Sequence, residues 1–281
     1  MKFYYVLVCL TVFLWSNYGY SQHKQLQEPS YHESEQHHNH DHGVYEISWR
    51  KDLPIVGIGL TAAAIGSYAL LKVDAPQEVD ILGLDKSDIW SFDRGAAGNF
   101  SQKAETISDV ILYSSFAIPF AIHAFDHCRG AGKEILVITL ETLLTISALT
   151  NIAKASTLRF RPFNYNPDVG SDLKLSHGSR LSFFSGHVSH TTAFWFMTAQ
   201  VLTDMHPHWK TKKFLTWGLA ATIPMAVGTG RVLAGKHFPT DVITGYILGA
   251  GVGLLIPIVH RNKKLSTTVG PNGVGISLDL N

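Results

Sequence analysis

The chain is built from apolar stretches separated by short polar, often basic, segments. Pro54–Leu71 runs for 18 residues without a charge and is flanked by Arg50, Lys51 and Lys72. That is near the minimum of about 17–20 residues for a membrane-spanning helix. Val110–Phe125, Ile135–Ile152, Thr191–Leu202, Phe214–Thr229 and Val242–Val259 follow. Several of these are short, or interrupted by Glu141 or His123, and a buried helix of a water-soluble α-protein reads the same way. The last is the clearest: Gly245, Gly249 and Gly253 recur every four residues, which lets another helix approach closely. Val73–Thr106 is polar and mixed, with Trp90, Phe92, Asp93 and Arg94, and reads as a connector at an interface.

The ends read differently. Residues 1–21 carry Lys2, an apolar run from Phe3 to Trp15, and Gly19 and Ser21 before Gln22, the pattern of a signal peptide or an uncleaved membrane anchor. Residues 22–50 form a His-rich linker with His23, His32, His37, His38, His40 and His42. Such imidazoles capture zinc or copper weakly, but no apolar periodicity fixes their geometry, so the expectation is a solvated segment. Residues 51–262 are the expected helical domain. Residues 263–281 are a tail rich in glycine, expected as a loop or short strand around Ile276-Ser277-Leu278.

The 281 residues include 23 basic and 22 acidic ones, so net charge offers no case for a nucleic-acid partner. Charged residues make up 16% and apolar ones 46%, which leans towards a membrane protein. Cys9 and Cys128 supply no disulfide framework. Arg50, Lys51, Arg129, Lys133, Lys210, Lys212, Lys213, Arg261, Lys263 and Lys264 all flank apolar stretches. If each stretch crosses, these groups share one side, the cytoplasmic one, and the chemical residues face the periplasm or exterior. A cleaved leader conflicts with that arrangement. Either the leader is not a simple signal, or one stretch does not cross, or the whole helical domain is exported and soluble.

Three segments carry chemistry. Gly228–Asp241 reads GTGRVLAGKHFPTD, with Arg231 six residues before His237 and His237 four before Asp241. Pro239 suits the first turn of a helix, where Asp241 also falls and is favoured by the dipole. His237 is expected to lean on Asp241 through one ring nitrogen and leave the other free to attack, with Arg231 as a fork for an anion. Lys154 and Arg161 stand seven apart, two helical turns, and are expected on one face, where two cations repel unless an anion joins them. A basic cluster against lipid headgroups is the other reading of that pair. Phe183-Phe184-Ser185-Gly186-His187 places a hydroxyl, a close-approach glycine and a proton-transferring imidazole together. His190 is expected to pack rather than react.

Lys-x6-Arg-Pro, Ser-Gly-His and Arg-x5-His-x3-Asp in this order resemble the type-2 phosphatidic acid phosphatase superfamily, which includes lipid phosphatases, class A acid phosphatases and vanadium haloperoxidases. The resemblance covers about Lys133 to His260. Phe184 stands where proline is usual, and Gly230 where serine is usual. The resemblance implies an all-α helical bundle with about six membrane-length helices. It implies a phosphoric monoester hydrolase that needs no metal or other cofactor. Lys154, Arg161 and Arg231 would bind phosphate, with Ser185 and the Gly186 amide adding hydrogen bonds. His237 would attack phosphorus with Asp241 holding its tautomer, and His187 would protonate the leaving oxygen. The expected partner is a phosphorylated lipid in a membrane. The alternatives are a soluble periplasmic acid phosphatase acting on small phosphate esters, a vanadate-dependent haloperoxidase, and a His-rich envelope protein that only binds.

Overall fold

A computed structural model describes residues 43–122 and 130–262, together with the backbone of residues 264–270 and 273–279. The leader, the six histidines of the linker, His123 and Cys128 lie outside the described residues. Six longer helices make the architecture: α1 Trp49–Leu71, α2 Gln102–Ser115, α3 Gly132–Thr157, α4 Gly186–Met205, α5 Thr211–Leu233 and α6 Pro239–His260. Short helical turns fill the connections. The tail forms an antiparallel hairpin, β1 Lys264–Gly270 with β2 Gly273–Asp279, in which Thr267 pairs with Ile276.

The expected all-α bundle is what the described residues form, with one correction to the helix count. Five of the six helices, not about six, reach 20 residues. The Val110–Phe125 stretch breaks after Ser115, and the separate turn Ile118–Ala121 carries Pro119 in its first positions. Proline suits the first turn of a helix, which is where Pro119 sits in the second piece. Among the described residues three helices, α1, α3 and α6, are long and apolar enough to cross a membrane. Their outward faces stay apolar: Ile58 and Leu60 on α1 and Ile247 and Leu255 on α6 are exposed, as are Phe214 and Met225 on α5. An exposed apolar surface of this extent is what lipid covers and what water does not favour.

Helix α4 is the hub, packing against α2, α3, α5 and α6. Its closest approach is to α6, through the predicted glycine stripe. A Cβ at Gly245, Gly249 or Gly253 would lie 2.7, 2.4 or 2.4 Å from the carbonyl oxygens of Ser185, Ser189 and Ala193. Only glycine permits that backbone-to-backbone contact. Helix α1 packs on α3 in the same manner through Gly59 and Gly66.

Tyr45, Ala131, Trp209 and Ile256 belong to one apolar cluster with Met197 and Val201. The segments bearing Arg50, Lys133, Lys210 and Arg261 therefore gather at one end of the helices. Tyr45 is buried and bridges Arg261, so residues just before Trp49 already belong to the helical body. The chemical segments gather at the opposite end.

Candidate active site

Helix α6 begins as its sequence predicts. Pro239 takes the first helical position, Phe238 is extended, and the Asp241 carboxylate accepts the Phe238 N–H at 2.8 Å. The chain reaches this start through Gly235, whose φ of +69° belongs to the left-handed region. A Cβ there would sit 1.8 Å from the Asn99 carbonyl oxygen.

His237 is buried, and its Nδ1 lies 2.7 Å from the Ser182 carbonyl oxygen. A carbonyl only accepts, so Nδ1 carries the hydrogen and Nε2 keeps its lone pair. Asp241 Oδ2 is 3.8 Å from Nδ1, outside hydrogen-bonding distance. The tautomer is therefore held by Ser182 rather than directly by Asp241, as the sequence led us to expect. Asp241 acts one step back, accepting the Ser182 hydroxyl at 2.6 Å.

Lys154 and Arg161 come together for a different reason than shared helix face. Helix α3 ends at Thr157 with Leu158 as a left-handed cap, φ +46°, so Arg161 lies beyond it. Arg161 precedes Pro162 and is extended, as a residue before proline prefers. A bracket of carbonyls fixes both cations: Lys154 Nζ donates to Leu181 at 2.7 Å and Arg161 Nε to Gly178 at 2.7 Å.

Among the ion pairs of the described residues, Arg159, Arg231 and Lys236 have carboxylate partners, whereas Lys154 and Arg161 have none. Cations held in place without a counter-charge form a ready anion site.

Ser185 is the N-cap of α4, and its backbone N–H donates to the Asp241 carbonyl at 3.0 Å. A Cβ on Gly186 would lie 3.2 Å from a Thr150 methyl, so glycine lets the start of α4 lie close against α3. His187 Nε2 stands 2.8 Å from Asp109 Oδ1. His190 packs as expected, its Nδ1 2.8 Å from the Gly186 carbonyl oxygen and its Nε2 3.0 Å from Ser147 Oγ.

Arg231 donates through Nη1 to Asp109 Oδ1 at 2.9 Å and to Ser108 Oγ at 3.3 Å. Its buried Nε has no partner. A Cβ at Gly230 would approach Ser108 Cβ to 3.0 Å. A serine at 230 would crowd α2, and Ser108 supplies a hydroxyl to the arginine instead.

The predicted residues meet in one place, and the electrostatics of His237 register it. Burial first, then the positive charges of Lys154, Arg161 and Arg231 and the nearby His187, hold its pKa well below the ordinary 6.5. Burial also lowers His187, partly opposed by the hydrogen bond it donates to Asp109.

Several members were not visible in the sequence. Arg159 donates to Asp241 Oδ1 at 2.6 Å and Asp93 Oδ2 at 2.7 Å, with its guanidinium 4.3 Å from the centre of the Phe238 ring. Asp93 in turn accepts the Thr240 N–H at 3.0 Å. Glu105 pairs with Lys236 at 2.9 Å. The one available signal was Asp109, a carboxylate at the very edge of an apolar stretch. Ser182 gave none, because it holds His237 through its backbone.

Residues 135–265 match the sequence model of the PAP2 superfamily. Phosphatidylglycerophosphatase B of Bacillus subtilis is 31% identical over 142 residues, 48% of this chain and 64% of that protein. Lipid A 4'-phosphatase of Porphyromonas gingivalis is 28% identical over 135 residues, 46% of this chain and 53% of that protein. Phospholipid phosphatase 1 of Rattus norvegicus is 34% identical over 143 residues, 43% and 50% of the two chains. The matched part thus spans between half and two thirds of these relatives. The residues of this chain from 135 to 265, which carry most of the site, are thus similar to the PAP2 superfamily.

Proposed function

We propose that this protein is a metal-independent phosphatase that hydrolyses a phosphate monoester or pyrophosphate of a lipid through a phosphohistidine intermediate. One observation carries the reading: two fixed cations without carboxylate partners, Lys154 and Arg161, act on a neutral imidazole whose Nε2 holds a lone pair.

The phosphoryl group would lie among Lys154, Arg161 and Arg231, whose charges offset the charge spreading over its equatorial oxygens. Ser185 and the Gly186 amide add donors at the start of α4. The Nε2 lone pair of His237 forms the N–P bond as the P–O bond to the lipid breaks. His187 gives its proton to the departing oxygen. It then takes a proton from water, whose oxygen displaces His237 from phosphorus and releases inorganic phosphate. Asp241 supports the attacking ring through Ser182 and through its own charge 3.8 Å away.

A lipid is favoured over a soluble ester by the three membrane-length helices and their exposed apolar faces. The relatives named as lipid phosphatases point the same way. The basic end lies opposite the site, so the rule that positive loops stay inside turns the site to the periplasm or exterior.

The test is phosphate release from phosphatidate, phosphatidylglycerol phosphate, isoprenyl pyrophosphate, lipid A and soluble esters, in detergent micelles with EDTA in the assay. Release from a lipid that disappears in His237→Ala supports the proposal. Release from no phosphate ester, or equal release by the variant, overturns it. Carbonate-washed membranes that lose the protein to the supernatant would overturn the membrane-embedded form.

A further inference from the structure

At the end of the helices away from the cation cluster, three side chains that the reaction does not use meet in the interior. Asp52 comes from α1, Glu141 from α3, and His260 from the last turn of α6. His260 Nε2 lies 3.1 Å from Asp52 Oδ1 and 3.2 Å from Glu141 Oε2. Glu141 has no exposed surface, His260 is 2% exposed and Asp52 6%. Helix α6 separates this group from His237 by about 30 Å, at about 1.5 Å per residue.

Two carboxylates face one imidazole here, so the negative groups outnumber the positive ones. His260 Nδ1 lies 2.8 Å from the Ile256 carbonyl oxygen, so it carries a hydrogen and donates. Nε2 is left facing two carboxylate oxygens. Asp52 Oδ2 accepts the Ser48 N–H at 2.7 Å, but neither Glu141 oxygen has any hydrogen-bond partner. A proton on Nε2 would serve one carboxylate and leave the other to be neutralised by a second proton or by a metal ion. Uncompensated carboxylates inside a protein cost several kcal/mol, and an ionisable residue in a candidate membrane span marks a site.

A divalent metal resolves this count. Two carboxylates and a neutral imidazole make a neutral site with one dication. At the tetrahedral angle, bonds of about 2.0–2.2 Å place neighbouring ligand atoms about 3.3–3.6 Å apart. The observed 3.1 and 3.2 Å are a few tenths of an ångström short of that, a gap that small side-chain movements close. One nitrogen and two oxygens suit zinc among the common ions. The slightly exposed edge of Asp52 offers a route for loading.

We propose that Asp52, Glu141 and His260 bind one divalent transition-metal ion, with zinc the best match, as a clamp that joins α1, α3 and α6. The ion takes no part in phosphoryl transfer. It ties α1, which precedes the residues that match the PAP2 model, to two helices of the matched part at their end away from the phosphate site.

The test uses the full chain in detergent with the six histidines His23, His32, His37, His38, His40 and His42 changed to glutamine, so that their imidazoles cannot take up zinc. After loading with zinc chloride and gel filtration, elemental analysis should find about one zinc per chain. Glu141→Gln and Asp52→Asn should each lower this at least fivefold. Zinc should raise the melting temperature of the parent, and prolonged EDTA treatment should lower it, while Glu141→Gln responds to neither. A parent without stoichiometric zinc, or zinc undiminished in both variants, overturns the proposal. Where the variants fail to fold, the X-ray absorption spectrum of the parent's zinc decides. One imidazole with oxygen ligands supports the site, and two or more imidazoles overturn it.

Discussion

A single oxygen of Asp109 joins two working parts of the site, 2.8 Å from the Nε2 of His187 and 2.9 Å from the Nη1 of Arg231. It comes from α2, which precedes the residues that match the PAP2 model, yet it contacts both the proposed proton donor and a proposed phosphate-binding cation.

Replacing it should alter the pH profile rather than only the rate. Asp109 raises the His187 pKa against the lowering effect of burial, so Asp109→Asn lowers it further. The protonated ring is the acid, so the basic limb of kcat/KM should move to lower pH. Activity at pH 7 should fall about tenfold or more. An unchanged pH profile would remove His187 from that role.

His237 gives the opposite limb. Its pKa is held well below 6.5 by burial and by the three cations, so the ring stays neutral and nucleophilic as pH falls through 6.5. The acid limb of kcat/KM for the free enzyme should therefore lie clearly below pH 6.5. The same shift has a stability consequence. Below 6.5 the unfolded chain binds a proton that the folded ring refuses, so this group's contribution to stability declines on acidification. A pH series of thermal melts checks the sign.

Packing sets the geometry of the chemistry. At Gly249 a Cβ would meet the Ser189 carbonyl at 2.4 Å, whereas Gly251 has nothing within 4 Å. Gly249→Val should part α4 from α6 and cut kcat about a hundredfold or more, as a misplacement of about 1 Å does. Gly251→Val should stay within about twofold. Equal effects of the two would separate activity from helix contact.

Arg159 balances the charge of Asp241, which is fully buried. Arg159→Leu leaves that carboxylate without its cation and should cost roughly 2–3 kcal/mol in chemical denaturation, with Arg159→Lys recovering part of it. No loss in the leucine variant would mean that Asp241 is stabilised by Ser182 and the Phe238 N–H alone.

Local chemistry was legible in the residues themselves. Pro239 and Asp241 foretold the start of α6, and the four-residue glycine spacing foretold its contact with α4. The order of Lys154, Arg161, Ser185, Gly186, His187, Arg231 and His237 foretold one shared site. What escaped was partnership across distance. His187 and Asp109 are 78 positions apart, and nothing local in either marks the other. Ser182 works through a backbone carbonyl that every residue possesses. Lys154 and Arg161 were matched by the wrong geometry, since the left-handed turn at Leu158 leaves no trace in a residue that normally avoids it. Glu141 was read only as an interruption, because its companions lie on two other helices.

The N–H of Ser185 on the Asp241 carbonyl and the glycine contacts behind it make the openings of α4 and α6 one rigid unit. The spacing between His187 and His237, the proposed acid and nucleophile, is therefore settled when these two helices pack. In the proposed phosphatase, selection among lipids would then fall to the residues around this fixed centre rather than to the centre itself.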